Sequence, residues 1–480
     1  MDYETVIGLE VHLHLKTRSK AFCGCSTEFG QTPNSQVCPV CLGLPGSLPV
    51  LNRQALEYAI KAGIALNCGV QEFTKFDRKH YYYPDLPKNY QISQYDLPIS
   101  RGGHLDIEIE GRAKRIGITR AHLEEDAGKL LHKGEASLVD LNRAGIPLLE
   151  IVSEPEINSP QEAYEYLAAL KSILEYLEVS DCDMEKGSLR CDANISLRPQ
   201  GTSGLGTKAE LKNMNSFKAV RDALSYEVER QAGLLNRGEK IIQETRLWDV
   251  KELRTVSMRG KEEAKDYRYF PEPDLPPFLI SRELIERIKA AIPELPQEKL
   301  RRFMRVYGLS EYDARVLVSS REWADRAEKM IEGYPDKNKK IIVNWLVGPW
   351  LSEANSRNCE PAELEIPGGD TALIKLARAT DEGKISYLNA KKAFNMSITS
   401  TKLSPFDLIE RENLYQVSDD AALDGHITAV IKDNPRSVAD FKNGKSNVLM
   451  FLVGQVMKKS QGKANPKLAQ EILKRRLSDA

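Results

Sequence analysis

No stretch of this sequence approaches the roughly 20 consecutive apolar residues that a membrane-crossing helix requires, which argues against a membrane partner. Charge of one sign is not in excess: 68 Lys and Arg stand against 69 Asp and Glu, a net charge of -1. That excludes a whole-molecule polycation and leaves room for a local basic patch. Cysteine is scarce, eight residues in 480, too few for a disulfide scaffold in a chain of this length. Cys68, Cys182, Cys191 and Cys359 are scattered, a usage that suits a reducing compartment. Neither the G-x-x-x-x-G-K-[ST] phosphate loop nor the G-x-G-x-x-G fingerprint occurs, so a bound nucleotide would lie on a sheet with metal ions rather than on a glycine loop. A Ser-Ser-Lys amidase set and an N-terminal cysteine nucleophile are also missing, so ammonia drawn from glutamine would come from a partner. The first 15 residues carry acids and alternate in polarity, without a signal peptide's apolar core or a transit peptide's Arg-rich face. The expected location is therefore the compartment of synthesis, the cytoplasm.

What is present is a soluble globular balance, 41% hydrophobic and 29% charged, in a chain long enough for about three domains. Residues 5–15 (TVIGLEVHLHL) alternate apolar and polar, the period of a half-buried strand. Residues 104–109, 115–118 and 194–197 do the same. Residues 53–66, 160–177 and 217–235 repeat near 3.6 and predict helices, the second with Ser159 as N-cap and Pro160 in its first turn. The mixture predicts an α+β domain on a largely antiparallel sheet. Residues 270–278 (FPEPDLPPF) hold four prolines and mark the exit from it. Helical spacing follows at 283–291, 297–307, 310–319, 322–332 and 337–354, and a Pro-Gly-Gly break at 367–369 opens a last helical segment. The expected domains are residues 1–280, 281–366 and 367–480.

Two constellations carry chemistry. Cys23-Gly24-Cys25 and Cys38-Pro39-Val40-Cys41 stand twelve residues apart. Paired thiolates at such spacing suit a closed tetrahedral zinc site; the alternative is four ordinary thiols. Glu10 and His12, two apart on the first strand, share a face. Acids also punctuate later strands: Glu124 and Glu125 in His122–Asp126, Glu150 after an apolar run, Asp192 and Asn194 after Arg190, and Glu210 before Lys212. Carboxylates on alternate positions of several strands can converge on magnesium, whose usual companion is a nucleotide. Arg120, Arg190, Lys208 and Lys212 could meet phosphate or carboxylate oxygens. Charged residues on strands are more often merely solvated.

Eight ordered stretches resemble one family: GLEVHLHLKTRSKAFCGC, CPVCLGLPGSLPVLN, DRKHYYYPDLPKNYQISQYDLPI, HLEEDAGK, DLNRAGIPLLEIVSEP, MEKGSLRCDANIS, ELKNMNSF and SMRGKEEAKDYRYFPEPDLP. They look like the B subunits of the Asp/Glu-tRNA amidotransferases and span most of residues 1–280. The archaeal paralogue that pairs with an asparaginase-like partner carries an inserted synthetase-like domain, for which this chain is too short. The resemblance implies a cradle domain whose sheet is similar to those of glutamine synthetase and the guanido kinases, with a zinc-binding insert at 23–41, then a helical domain and a small helical tail domain. It implies ATP-dependent phosphorylation and transamidation of misacylated Glu-tRNA(Gln) or Asp-tRNA(Asn). The implied partners are an amidase-like A subunit that releases ammonia from glutamine, a small C subunit completing a heterotrimer, tRNA, and a glutamyl- or aspartyl-tRNA synthetase.

Carried over by position, His12, Glu125 and Glu150 match the family's magnesium ligands. Glu10, Glu124, Asp192 and Glu210 match acids around them; Arg190, Asn194 and Lys212, read from their place beside these acids, are the expected nucleotide contacts. Lys79, Tyr81, Tyr82, Lys88 and Asn89 match residues near an ammonia tunnel exit, and Cys23, Cys25, Cys38 and Cys41 the zinc-binding branch. The last 39 residues hold nine Lys or Arg and two acids, a charge bias that attracts phosphates. Lys458, Lys459 and Lys463 are the expected tRNA contacts. Two rival readings are a stand-alone ATP-dependent ligase using free ammonia and a non-catalytic RNA-binding scaffold. A scaffold would have no reason to gather an acidic pocket.

Overall fold

The computed structural model describes residues 3–258, 267–399, 402–415, 420–442, 445, 447–460 and 464–478. Lys463 and part of the SMRGKEEAKDYRYF stretch lie outside them. Two compact units divide the chain, Met1–Pro296 and Gln297–Ala480.

The alternation that opens the sequence becomes the centre of a nine-stranded sheet. Numbered within the sheet in chain order, its strands are β1 Tyr3–His14, β2 Gly69–Val70, β3 Ser100–Ile109, β4 Arg112–Glu125, β5 Pro147–Ser153, β6 Leu189–Pro199, β7 Ala209–Lys212, β8 Glu244–Asp249 and β9 Arg254–Ser257. Their spatial order is β9-β8-β7-β6-β1-β5-β4-β3-β2. Every pairing is antiparallel except β7 with β8. The expected short strands at 104–109 and 115–118 are therefore parts of one long hairpin, β3–β4.

Period two divides the sheet's side chains between its faces. Ile7, Leu9, Val11 and Leu13 of β1 are fully buried, as are Leu149 and Ile151 of β5 and Ala193 and Ile195 of β6. They join one core with Leu167, Leu170 and Leu174 of helix α2 (Pro160–Tyr176) and Val220 and Leu224 of helix α3 (Phe217–Asn236), and helix α1 (Arg53–Ala65) adds Ala59 and Ile60. Burial on this scale, about 1.5–3 kcal/mol per large aliphatic side chain, fixes the strand register. Serine or asparagine caps start each helix. Asn52 accepts from the N–H groups of Gln54 and Ala55, Ser159 from Glu162 and Ser216 from Ala219, satisfying donors that helix geometry leaves unpaired. The opposite face of the sheet carries Glu10, His12, Glu150, Arg190, Asp192 and Asn194.

The proline-rich stretch does not leave the first unit where composition suggested. Phe270–Pro271 pairs with Asp77 and Arg78, and Phe278–Leu279 with Phe73 and Thr74. Helix α4 (Arg282–Ala290) then inserts Ile288 into the sheet's core. Proline bars helix interiors but tolerates edge ladders, so the unit continues to Pro296.

The second unit contains helices Arg321–Gly333, Gly369–Asp381 and Tyr387–Thr399, and its last four, Asp420–Asp433, Pro435–Lys442, Val448–Lys459 and Pro466–Ser478, enclose a separate core of Leu423, Ile427, Leu452, Val456 and Leu473. The helix expected over 337–354 is interrupted. A π-turn at Leu346–Trp350 holds Pro349 between Lys340–Trp345 and Leu351–Arg357; proline lacks an N–H and crowds the preceding turn, and a wider turn accommodates it. Among the described residues no helix is long and apolar enough to cross a membrane.

Candidate active site

Strand register builds the cluster. His12 on β1 lies opposite Glu150 on β5, and Glu150 lies opposite His122 on β4. Glu124, two residues beyond His122, points the same way. His12 Nε2 is 3.1 Å from Glu150 Oε2 and 3.7 Å from Glu124 Oε1, and His122 Nε2 is 3.5 Å and 3.8 Å from Glu150 and Glu124 oxygens. Donor atoms of His12, Glu124 and Glu150 all fall within 4.8 Å of one another, a spacing one cation could bridge.

Both carboxylates are nearly inaccessible. Burial opposes their charge, but His122, Lys79 and His12 hold Glu124 and Glu150 below the usual carboxylate range. Burial likewise opposes protonation of His12, yet Glu150 and Glu124 raise its pKa. Glu10, with fewer cations beside it, is pushed up by burial and by Glu150. Its carboxylate accepts from Asn194 Nδ2 at 3.1 Å. Farther along, Lys212 Nζ bridges Asp192 at 2.9 Å and Glu210 at 3.1 Å.

Cations frame the acids. Arg120 Nη2 is 3.5 Å from Glu150. Asp126, buried at the end of β4, meets His14 at 2.7 Å, Arg190 at 2.9 Å and Arg143 at 3.4 Å. Burial opposes its charge, but Arg190, His14 and Arg143 hold the Asp126 carboxyl far below its ordinary value. Arg120 Nε, His122 Nδ1, Arg190 Nε and Asn194 Oδ1 are buried without a hydrogen-bond partner. Buried polar atoms are normally satisfied, so four orphans on one open sheet face fit a polar ligand. Carboxylate oxygens with phosphate-seeking guanidiniums nearby are also the donor chemistry of a magnesium–nucleotide site.

Glu125 does not join the cluster. Adjacent strand residues point to opposite faces, so Glu125 turns away from Glu124. It pairs with Lys88, and its Oε1 accepts from the Ile92 N–H at 2.9 Å. There it lines a cavity of about 190 Å³ with Lys20, Phe22, Cys41, Lys88, Tyr90 and Ile92. Lys79 stays with the cluster: burial opposes its charge, but Glu124, Tyr269 and Glu150 hold it protonated. Tyr81 stands edge-on to Tyr267 with ring centroids 6.2 Å apart, Tyr82 is exposed, and Asn89 is an exposed turn residue at φ 61°, a left-handed conformation that asparagine tolerates.

The sulfur atoms of Cys23, Cys25, Cys38 and Cys41 also converge within 4.8 Å. The Cys38 N–H donates to Cys41 Sγ at 3.2 Å, and the fully buried Lys20 ammonium lies 3.7 Å from that sulfur. A hydrogen bond from Cys23, the Cys38 N–H and Lys20 together pull the Cys41 thiol well below its usual pKa. Four converging sulfurs with thiolate-stabilising donors fit a closed zinc site. Lys458 and Lys459 are exposed on helix Val448–Lys459, Lys459 paired with Asp433.

Comparison with known proteins identifies the family. The model of the GatB/GatE catalytic domain matches residues 5–286, and that of the GatB domain matches residues 325–477. The B subunit of the aspartyl/glutamyl-tRNA(Asn/Gln) amidotransferase of Caldanaerobacter subterraneus subsp. tengcongensis is 55% identical, with all of both chains covered. The chain belongs to the family of aspartyl/glutamyl-tRNA amidotransferase B subunits. The same-named protein of Carboxydothermus hydrogenoformans is 54% identical over 99% of each chain, and that of Persephonella marina 50% identical over 98% of this chain and 99% of its own.

His122 and Asp126 were visible in the sequence but given no role there. Strand parity was the signal: Ala121 and Leu123 face the core, so His122 and Glu124 face the site and Glu125 does not.

Proposed function

We propose that this chain phosphorylates the side-chain carboxylate of a misacylated Glu-tRNA or Asp-tRNA with ATP and passes the acyl phosphate to ammonia, forming Gln-tRNA or Asn-tRNA. The carrying observation is the buried His12–Glu124–Glu150 cluster on the open face of an antiparallel sheet, flanked by Arg120 and Arg190. Its setting supports the cradle reading of the first unit.

His12, Glu124 and Glu150 would hold magnesium, which when bound offsets the charge of the ATP phosphates. Arg190, oriented by Asp126, and Arg120 present guanidiniums to phosphate or carboxylate oxygens. Lys79 adds a third positive charge beside the same acids. Phosphoryl transfer needs positioning and charge neutralisation more than a protein nucleophile, and these residues supply both. A carboxylate oxygen attacks the γ-phosphorus and ADP departs. Ammonia then attacks the acyl carbon, the C–O bond to phosphate breaks, phosphate leaves and the nitrogen loses a proton. The chain's own residues provide no glutaminase set, so an amidase-like A subunit would release the ammonia, with a small C subunit completing a heterotrimer. Lys88, which the family resemblance sets near the ammonia tunnel exit, pairs with Glu125 across the sheet from the cluster, and the two would act together at that exit. Cys23, Cys25, Cys38 and Cys41 would hold a structural zinc that closes the 23–41 loop.

The test is ATP hydrolysis by the complete complex with and without misacylated tRNA. Stimulation that Glu150→Gln abolishes supports the reading; equal hydrolysis with uncharged tRNA, or an unaffected Glu150→Gln, rejects it in favour of a scaffold.

A further inference from the structure

Beside the acidic cluster stands an aromatic series that the chemistry above does not use. Tyr95 stacks on Tyr269, ring centroids 4.3 Å apart and planes 13° from parallel. Tyr269 meets Tyr267 edge-on at 6.0 Å, and Tyr267 meets Tyr81 at 6.2 Å. Cations interleave with the rings: Lys79 Nζ lies 5.0 Å from the Tyr267 centroid and the Arg268 guanidinium 5.8 Å from that of Tyr82. The outer members are open, Tyr95 61% and Tyr82 68% exposed. The inner end borders the site, since Ser93, two residues before Tyr95, donates its hydroxyl to Glu124 Oε2 at 3.2 Å. The series thus runs from solvent to the cluster.

Large aromatic side chains are costly to leave in water unless something covers them. A solvent-open row of rings alternating with cations, leading to a buried chemical centre, matches single-stranded nucleic acid, whose bases stack on aromatics while phosphates meet the cations. An internal structural role would account for Tyr267 and Tyr269 but leaves the exposed rings of Tyr95 and Tyr82 unexplained.

We propose that Tyr95, Tyr82 and the rings behind them form a stacking platform for the unpaired 3′ end of the aminoacyl-tRNA, guiding the esterified amino acid to His12, Glu124 and Glu150. This rests on the aminoacyl-tRNA reading above. Tyr95 and Tyr82 are positioning residues; they bind bases and do not touch the reacting carboxylate.

The experiment measures binding by the complete complex to two RNAs, misacylation-competent tRNA and the same tRNA trimmed of its 3′-terminal CCA. Proteins are wild type, Tyr95→Ala, Tyr95→Phe and Tyr82→Ala. Loss of one base stack weakens binding about five- to 150-fold, so each alanine variant should lose intact tRNA by that range. Tyr95→Phe keeps the ring and should stay within about two-fold of wild type. Trimmed tRNA should bind all four proteins equally, because the bases that stack on the platform are already gone. Intact tRNA bound by both alanine variants as tightly as by wild type overturns the platform. So does an equal loss for trimmed tRNA, or a Tyr95→Phe loss as large as alanine's. Wild-type ATP hydrolysis stimulated by misacylated tRNA, measured alongside, separates the two claims. If it is present while the alanine variants bind normally, only the platform falls; if it is absent, the underlying reading falls.

Discussion

Glu124 and Glu125 are neighbours in sequence and occupy different sites, so replacing each by glutamine gives a sharp comparison. Glu124 shares a possible cation with His12 and Glu150. Glutamine keeps its shape and removes one unit of charge at a metal–oxygen distance of about 2.1 Å. Even with bulk-water screening, a divalent ion and a unit charge at that separation interact by about 4 kcal/mol. Glu124→Gln should therefore weaken divalent-cation binding about a thousand-fold. Glu125 reaches the ion only through the sheet, where screening leaves under about 1 kcal/mol, less than roughly five-fold. Its carboxylate instead holds Lys88 and the Ile92 N–H. The assay is manganese titration of the complex followed by the electron paramagnetic resonance of free ion, with the magnesium dependence of tRNA-stimulated ATP hydrolysis run in parallel. A Glu125→Gln protein that loses the ion while Glu124→Gln keeps it would refute the strand-parity reasoning.

Glu125→Gln should leave tRNA-stimulated ATP hydrolysis within about three-fold of wild type and lower amide formation from glutamine more than from added ammonium, compared by product assays with each nitrogen source. Asp126→Asn strips Arg190, His14 and Arg143 of their shared anion and should cost about 3–5 kcal/mol, read as a lower denaturation midpoint of the first unit. Because the folded-state pKa of Asp126 is depressed, its contribution is present above about pH 4 and is lost as pH falls through the folded value; the wild-type and Asp126→Asn stabilities should converge in acid. Elemental analysis should find about one zinc per chain, and Cys38→Ser should remove it and destabilise the 23–41 loop to proteolysis. Replacing Lys458 and Lys459 with alanine should make tRNA affinity less salt-dependent, the log–log slope falling by about 0.7–0.9 for each phosphate that these lysines neutralise.

Much of the sheet could be read from the sequence because one face is apolar at every second position, as in Ile7, Leu9, Val11 and Leu13. Helix starts were legible at Ser159 and Pro160 because capping chemistry is local. The site was legible as a set of residue types and not as a geometry. Which of two adjacent acids faces the cluster depends on parity inherited from Ala121 and Leu123, and the convergence of His12 with Glu150 and His122 depends on register between the first strand and strands more than a hundred residues later. The proline-rich segment misled for a related reason: its prolines forbid helix, but the edge ladders that tie it to Phe73–Thr74 and Asp77–Arg78 are long-range pairings with no local mark. The aromatic row beside the site likewise joins Tyr95 to Tyr269 across a separation that no periodicity spans.

On the proposed mechanism the side-chain carboxylate of the aminoacyl-tRNA becomes an acyl phosphate on this chain. Glu-tRNA carrying oxygen-18 in both side-chain carboxylate oxygens tests it directly. The oxygen that attacks phosphorus leaves with the phosphate when ammonia displaces it. One oxygen-18 should appear in the inorganic phosphate for each Gln-tRNA formed by the complete complex, read by mass spectrometry. Amide formed with unlabelled phosphate would contradict it.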